Sequence, residues 1–371
     1  MARIRVLVVD DSVVIRKLVS DLLSEDPDIE VVGTAVNGRA GVQKVALLEP
    51  DLVTMDIEMP ELDGIGAVRQ IRATGNRVPV IMFSTLTERG AVATLEALAA
   101  GASDYVPKPA NVGSVGRSME QVREALIPRI KSLVPRAGAR PTHVGTGGSV
   151  PPTAAPTLRA PAPPPVGGHR LLVIGSSTGG PEALNTLLSG LQPLPVPIAV
   201  VQHMPPVFTR QFAARLDRQL PFEVTEAADG QVLRPGTVCI APGDFHLEIV
   251  VEGRSFVARL NQAPPENYCR PAVDVLFRSA AAVAGPAVLG VVLTGMGSDG
   301  CKGARDLVDR GGSVLAQDQA TSVVWGMPGA VTTAGLAERV LPLGDIPGEI
   351  NRRVGQPARA TAFTTPAGGT R

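Results

Sequence analysis

The sequence is poor in the residues that mark several functional classes. Three cysteines occur in 371 residues, Cys239, Cys269 and Cys301. They are odd in number, far apart and free of any CxxC or Cys/His spacing, so the spacing offers neither a disulfide framework nor a structural zinc module. A reduced, cytoplasmic setting is expected. Positive and negative side chains balance at 35 each, so no net field draws the chain to nucleic acid or to an anionic membrane. No apolar run is long enough to span a bilayer, and the short one at the start, MARIRVLVVDDS, meets two aspartates at once. Neither membrane insertion nor a leader segment is expected.

What is present divides the chain. Its length suits two domains of roughly 100–200 residues each, joined by a connector. From about Pro135 to Gly168 the sequence is rich in proline, glycine and alanine and nearly free of large apolar side chains, too few to offset the entropy of ordering. The reading is a domain over 1–125, a helix end and linker over 126–168, a second domain over 169–354 and a disordered tail over 355–371.

Before the linker, β-branched runs alternate with helical periods five times, from RVLVVDD to SDYVPKP. Such a (βα)5 pattern implies a parallel sheet covered by helices on both faces, with functional groups at the carboxyl ends of the strands. After the linker a second β/α series begins at HRLLVIG. It is interrupted by short strands at VCIAPG, HLEIVVE and SFVARL, read as an antiparallel insertion in an otherwise doubly wound sheet. The expected fold class is α/β in both halves.

In the first half Asp10 and Asp11 end the first strand, Asp56 the third and Ser84 the fourth, and Lys108 follows the fifth. Three adjacent carboxylates repel one another unless a divalent cation sits among them, and magnesium suits carboxylates, water and a phosphoryl oxygen. Asp56 can then accept a phosphoryl group while Lys108 and the Ser84 hydroxyl hold its other oxygens. A single aspartate at a strand end is commonly just a helix cap. Five suitable groups in register outweigh that reading. The motifs VLVVDDS, MDIEMPELDG, FST and DYVPKP resemble the signature of response-regulator receiver domains across residues 1 to 125. The resemblance implies phosphotransfer from a histidine kinase to Asp56, Mg2+ at Asp10, Asp11 and Asp56, and Ser84 with Tyr105 as a switch pair.

In the second half Gly175, Ser177 and Gly179 stand in G-x-S-x-G spacing between a strand and a helix, the setting of a nucleophile elbow. A dinucleotide fingerprint is the competing reading of such a turn, but Ser177 stands where its second glycine belongs. The motif alone leaves both open. His203, of the four histidines, alone follows a β/α-type strand next after the one bearing Ser177, and can serve as a general base. A lone histidine is more often structural. Asp299, in the turn TGMGSDG, can orient it, though capping a helix is the commoner role.

Residues 169 to 350 resemble the catalytic domain of the protein-glutamate methylesterases of chemotaxis through GSSTGG, QHMPPVFT, APGDFH, RPAVDVLF, LTGMGSDG and WGMP. The resemblance implies an α/β hydrolase with Ser177 as nucleophile, His203 as base and Asp299 as orienter, and no cofactor in that site. Backbone donors near Met296 would form the oxyanion hole. Thr178, Arg270, Met296 and Met327 read as lining residues of the pocket, and each of them reads equally well as packing. Ser176 departs from the alanine common at its position. His246, Trp325 and Cys269 are read as structural or substrate-facing. The implied reaction is demethylation of γ-glutamyl methyl esters on chemoreceptors, and deamidation of receptor glutamines, under control of Asp56. A dinucleotide-dependent enzyme and a non-catalytic adaptor are the two other classes considered.

Overall fold

The computed structural model describes residues 3–108, 115–134 and 158–355. The first half contains β1 (Ile4–Val9), β2 (Ile29–Ala35), β3 (Leu52–Asp56), β4 (Val80–Ser84) and β5 (Asp104–Pro107), interleaved with α1 (Val13–Ser24), α2 (Gly38–Leu48), α3 (Gly64–Ala73), α4 (Glu88–Ala99) and α5 (Val115–Leu133). All strand pairs are parallel, in the order β2-β1-β3-β4-β5. Polar residues start the helices: Ser12, Asn37, Asp63 and Thr87 each accept a backbone N–H of the first turn of α1 to α4, as capping requires. The strands β3 and β4 are buried along their whole length, which is why they are largely apolar and do not alternate. A Cβ at Gly64 would stand 2.0 Å from the Asp56 carbonyl oxygen, so only glycine lets α3 start this close to the end of β3.

The second half places β6 (Leu171–Ser176), β7 (Ile198–Gln202), β8 (Glu223–Glu226), β9 (Thr237–Ile240), β12 (Val288–Val292), β13 (Ser313–Gln317) and β14 (Arg339–Leu341) in one parallel sheet. Its order is β14-β13-β12-β6-β7-β9-β8. A separate antiparallel pair, β10 (His246–Glu252) and β11 (Ser255–Asn261), is the insertion. The segment VCIAPG does not belong to that insertion: β9 lies parallel to both β7 and β8 in the main sheet. The helices are α6 (Gly180–Ser189), α7 (Phe208–Gln219), α8 (Val273–Ala284), α9 (Cys301–Asp309), α10 (Met327–Thr333) and α11 (Ile346–Val354). Strand order turns outward in opposite directions on either side of β6, so the crevice at its carboxyl end is a topological switch point.

Part of the expected linker has a fixed place. Arg159 donates its N–H to Ala337 O and its guanidinium to Gly312 O, both at 3.0 Å, and Ala162 N–H bonds Glu338 Oε1 at 3.0 Å. Residues 158–168 thus run as a strap along the second domain. Residues 135–157 of the linker and 356–371 of the tail lie outside the described residues.

The halves also share a packed boundary. The rings of Tyr105 and Phe208 stack with centroids 4.9 Å apart and 5° between planes. Helix α4 lies against α6 and α7, and the Arg215 guanidinium bonds the Leu95 carbonyl. Val324 belongs to the apolar cluster of the first half that includes Val122, Leu126 and Ile130 of α5, and Met296 packs against that cluster.

Candidate functional site

The first site gathers at the carboxyl ends of β1, β3 and β5. Lys108 Nζ lies 2.7 Å from Asp56 Oδ1 and 3.5 Å from Asp10 Oδ2. One carboxylate oxygen from each of Asp10, Asp11 and Asp56 falls within 4.8 Å of the others. Burial, followed by the charge of Asp56, pushes Asp10 up to about 6 against the pull of Lys108. Burial also raises Asp56 despite Lys108. Asp56 Oδ2 is buried with no hydrogen-bond partner among the described residues. An orphaned oxygen beside two further carboxylates fits Mg2+, whose charge would offset this repulsion. The Ser84 hydroxyl donates to Gly90 O at 3.1 Å and accepts from Thr94 Oγ1 at 2.6 Å, toward α4.

A stability test follows from Asp10. Its folded-state value of about 6 stands above the ordinary 3.8, so ionising it costs the fold nothing below about pH 4 and its full amount above about pH 6. At pH 8 without magnesium, Asp10→Asn should stabilise the protein by on the order of 1 kcal/mol after solvent screening. Magnesium should raise the melting temperature of the parent chain and not of the variant. Calorimetry with and without magnesium checks both.

The second site lies at the switch point. Ser177 follows β6, His203 follows β7 and Asp299 follows β12. His203 Nε2 lies 2.8 Å from Asp299 Oδ2. Asp299 in turn accepts backbone N–H groups of Val273, Asp274 and Gly300, at 2.7, 3.0 and 3.0 Å, and the Asn267 amide at 2.8 Å. Two of those donors open α8, where the helix dipole favours negative charge. Burial opposes ionisation of Asp299, yet His203 and these N–H groups hold it below the usual carboxylate range. For His203, burial pushes downward, but the Asp299 carboxylate and the Cys269 sulfur outweigh it and raise the imidazole above its ordinary value, which strengthens it as a proton acceptor.

Ser177 and His203 line one small cavity, together with Thr178, Gln202 and, from the first half, Asp104, Tyr105 and Arg129. Its volume is about 20 Å³, room for one water molecule. Ser177 Oγ has no hydrogen-bond partner among the described residues. A Cβ at Gly295 would meet Ser177 Cβ at 2.8 Å and Met327 Sδ at 2.3 Å, so glycine is required behind the serine. Ser176 Oγ is buried and donates to Gln202 Oε1 at 2.7 Å, which separates it from Ser177.

The chain resembles known proteins along its whole length. The CheB methylesterase family model matches residues 172–350, and the response regulator receiver domain model matches residues 6–117. A protein-glutamate methylesterase/protein-glutamine glutaminase of Nocardioides is 77% identical over 99% of both chains. This chain belongs to that family. The Trichodesmium erythraeum member is 47% identical over 96% of this chain and 100% of its own. A crystal structure of the Thermotoga maritima CheB methylesterase catalytic domain is 44% identical, covers 50% of this chain and 99% of that chain, and has a TM-score of 0.49.

The candidate pocket residues divide. Thr178 is at the site, but its hydroxyl donates 2.8 Å across the domain boundary to Asp104 Oδ2, which Arg129 Nε also holds at 3.1 Å. Arg270 is engaged by Asp244 Oδ1 and by the carbonyls of Gln262 and Ala263, and does not line the cavity. Met327 is fully buried, and Met296 faces the first domain's core. His246 bonds Ala272 N and Pro264 O, and Trp325 bonds Gln317 O; both are structural. Sequence reasoning missed Asn267, Asp104, Arg129 and the approach of Cys269 to His203. The only advance signal was that Asn267 and Cys269 immediately precede the RPAVDVLF motif.

Proposed function

We propose that this chain is a phosphorylation-gated serine esterase that removes γ-methyl groups from chemoreceptor glutamates and deamidates receptor glutamines. The observation that carries the reading is the His203–Asp299 pair beside Ser177 at a sheet switch point, in a chain 77% identical to a named member of the family. Ser177 Oγ attacks the ester carbonyl while His203 takes its proton, and Asp299 fixes the ring by its bond to Nε2, leaving Nδ1 as the base. The developing oxyanion is met by backbone N–H groups near Met296 and at the start of α6, where the dipole favours it. Methanol leaves with the proton from His203. Water then enters by the same route in reverse, and a glutamine substrate loses ammonia in place of methanol.

Control comes from the first domain. Asp104, Tyr105 and Arg129 crowd the cleft, and a cavity of about 20 Å³ does not admit a glutamyl ester. A histidine kinase supplies the phosphoryl group to Asp56, and Lys108 neutralises it; Asp10, Asp11 and Asp56 would hold Mg2+, which would offset the charge of the carboxylates and of the phosphoryl oxygens. Drawing Ser84 toward that group breaks its bond to Thr94, and Tyr105 must leave its stack on Phe208 as the cover loosens. The protein works in the cytoplasm on the receptors' signalling segments.

The test is methanol release from methyl-labelled receptor membranes, with and without magnesium and a small phosphodonor. Release should rise with the phosphodonor in the parent chain and stay at the unstimulated rate in Asp56→Asn. A phosphodonor response that survives in Asp56→Asn would place the phosphoacceptor elsewhere.

A further inference from the structure

Cys269 has no part in the reaction above, yet its sulfur lies 3.5 Å from His203 Nδ1. One ligand atom from each of His203, Cys269 and Asp299 falls within 4.8 Å of the other two. Tetrahedral zinc, with its usual bond lengths to sulfur and imidazole nitrogen, sets those two ligands about 3.6 Å apart. The separation here already matches, so a cation entering between them needs little rearrangement. Cys269 is also partly accessible, whereas Cys239 is buried and Cys301 donates to Ala330 O.

The loop that carries Cys269 is held in place from several sides. Asn267 and Tyr268 take left-handed φ values of 51° and 63°, a cost that surrounding contacts must offset. Those contacts are the Asn267 amide to Asp274 and Asp299, the paired backbone bonds of Glu266 with Cys269, and the Glu266–Arg278 ion pair at 2.8 Å. On the far nitrogen of His203, Asp299 fixes the ring as carboxylates do behind zinc-bound histidines.

We propose that Cys269 and His203 form an inhibitory site for a thiophilic divalent cation, zinc above all. The cation is held by Cys269 Sγ as thiolate and by His203 Nδ1, with Asp299 supporting Nε2 and water completing the shell. Binding releases one thiol proton to solvent and occupies the imidazole lone pair that would receive the Ser177 proton. Zinc therefore stops the reaction without touching the phosphoacceptor. The inhibitory half rests on the esterase reading, whereas the metal site itself does not.

The experiment uses the full-length, phosphodonor-activated protein and buffered zinc, with the parent chain, Cys269→Ala and Cys269→Ser each normalised to its own zinc-free rate. The parent chain should lose activity and regain it with a chelator. Both variants should need at least tenfold more zinc, since losing a direct ligand should cost no less than the 10–100-fold lost with a supporting group. In parallel, cobalt added to the parent chain should give the near-ultraviolet absorption of a thiolate–cobalt bond, absent in both variants. Carboxylates at Asp10, Asp11 and Asp56 give no such band. Equal zinc sensitivity in parent and variants, or no cobalt band in the parent, overturns the site. If the chain proves not to be an esterase, the cobalt spectrum still decides.

Discussion

Ser177→Ala should abolish methanol release from receptor membranes, with the rate falling by about 10⁴-fold or more, as when a hydrolase loses its nucleophile. Asp299→Asn should cost nearly as much, because it leaves the His203 ring without the charge that fixes its tautomer. It also leaves the N–H groups of Val273, Asp274 and Gly300 facing a weaker acceptor. Ser176→Ala is the informative control. Its hydroxyl is buried against Gln202, so the variant should keep most of its activity. Methanol production by purified Ser177→Ala at a rate near that of the parent would sink the assignment, and a Ser176→Ala rate as low as that of Ser177→Ala would move the nucleophile one residue back.

Release of the cover is the second large effect. A chain beginning at Leu158 should demethylate receptors faster than the unphosphorylated full chain, by roughly 10–100-fold if the closed form dominates at rest. The start point matters, because Arg159 and Ala162 anchor the strap to Ala337, Gly312 and Glu338. A cut at Gly168 would remove those bonds and confound release with destabilisation. The shortened chain should ignore the phosphodonor altogether. If it were no faster than the resting full chain, occlusion by Asp104, Tyr105 and Arg129 would not be what restrains the enzyme.

The sequence was legible where chemistry follows local pattern. Strand-end placement grouped Asp10, Asp56 and Lys108, and with the G-x-S-x-G turn it pointed to Ser177, His203 and Asp299, because side chains at the ends of adjacent parallel strands converge whatever else the fold does. The β9 segment was misplaced because TVCI is too short for its periodicity to reveal a partner, and proximity to HLEIVVE suggested a meander. The Thr178–Asp104 bond spans 74 residues and the Cys269–His203 contact 66. Neither separation carries any periodic signature, so such pairs emerge only from tertiary packing. Ser84 was assigned its role in a phosphorylated receiver, whereas its hydroxyl here is turned toward α4.

The domain boundary has an optical consequence. Trp325 is the single tryptophan of the chain, tied to Gln317 O and adjacent to Val324, which packs against the α5 side of the first domain. Lifting that domain exposes Val324 and rewets the indole's surroundings, so its emission should shift to longer wavelength on phosphodonor addition and stay fixed in Asp56→Asn. The protein thus contains a label-free fluorescence reporter of its own gating, one that can be followed in stopped flow before any substrate is added.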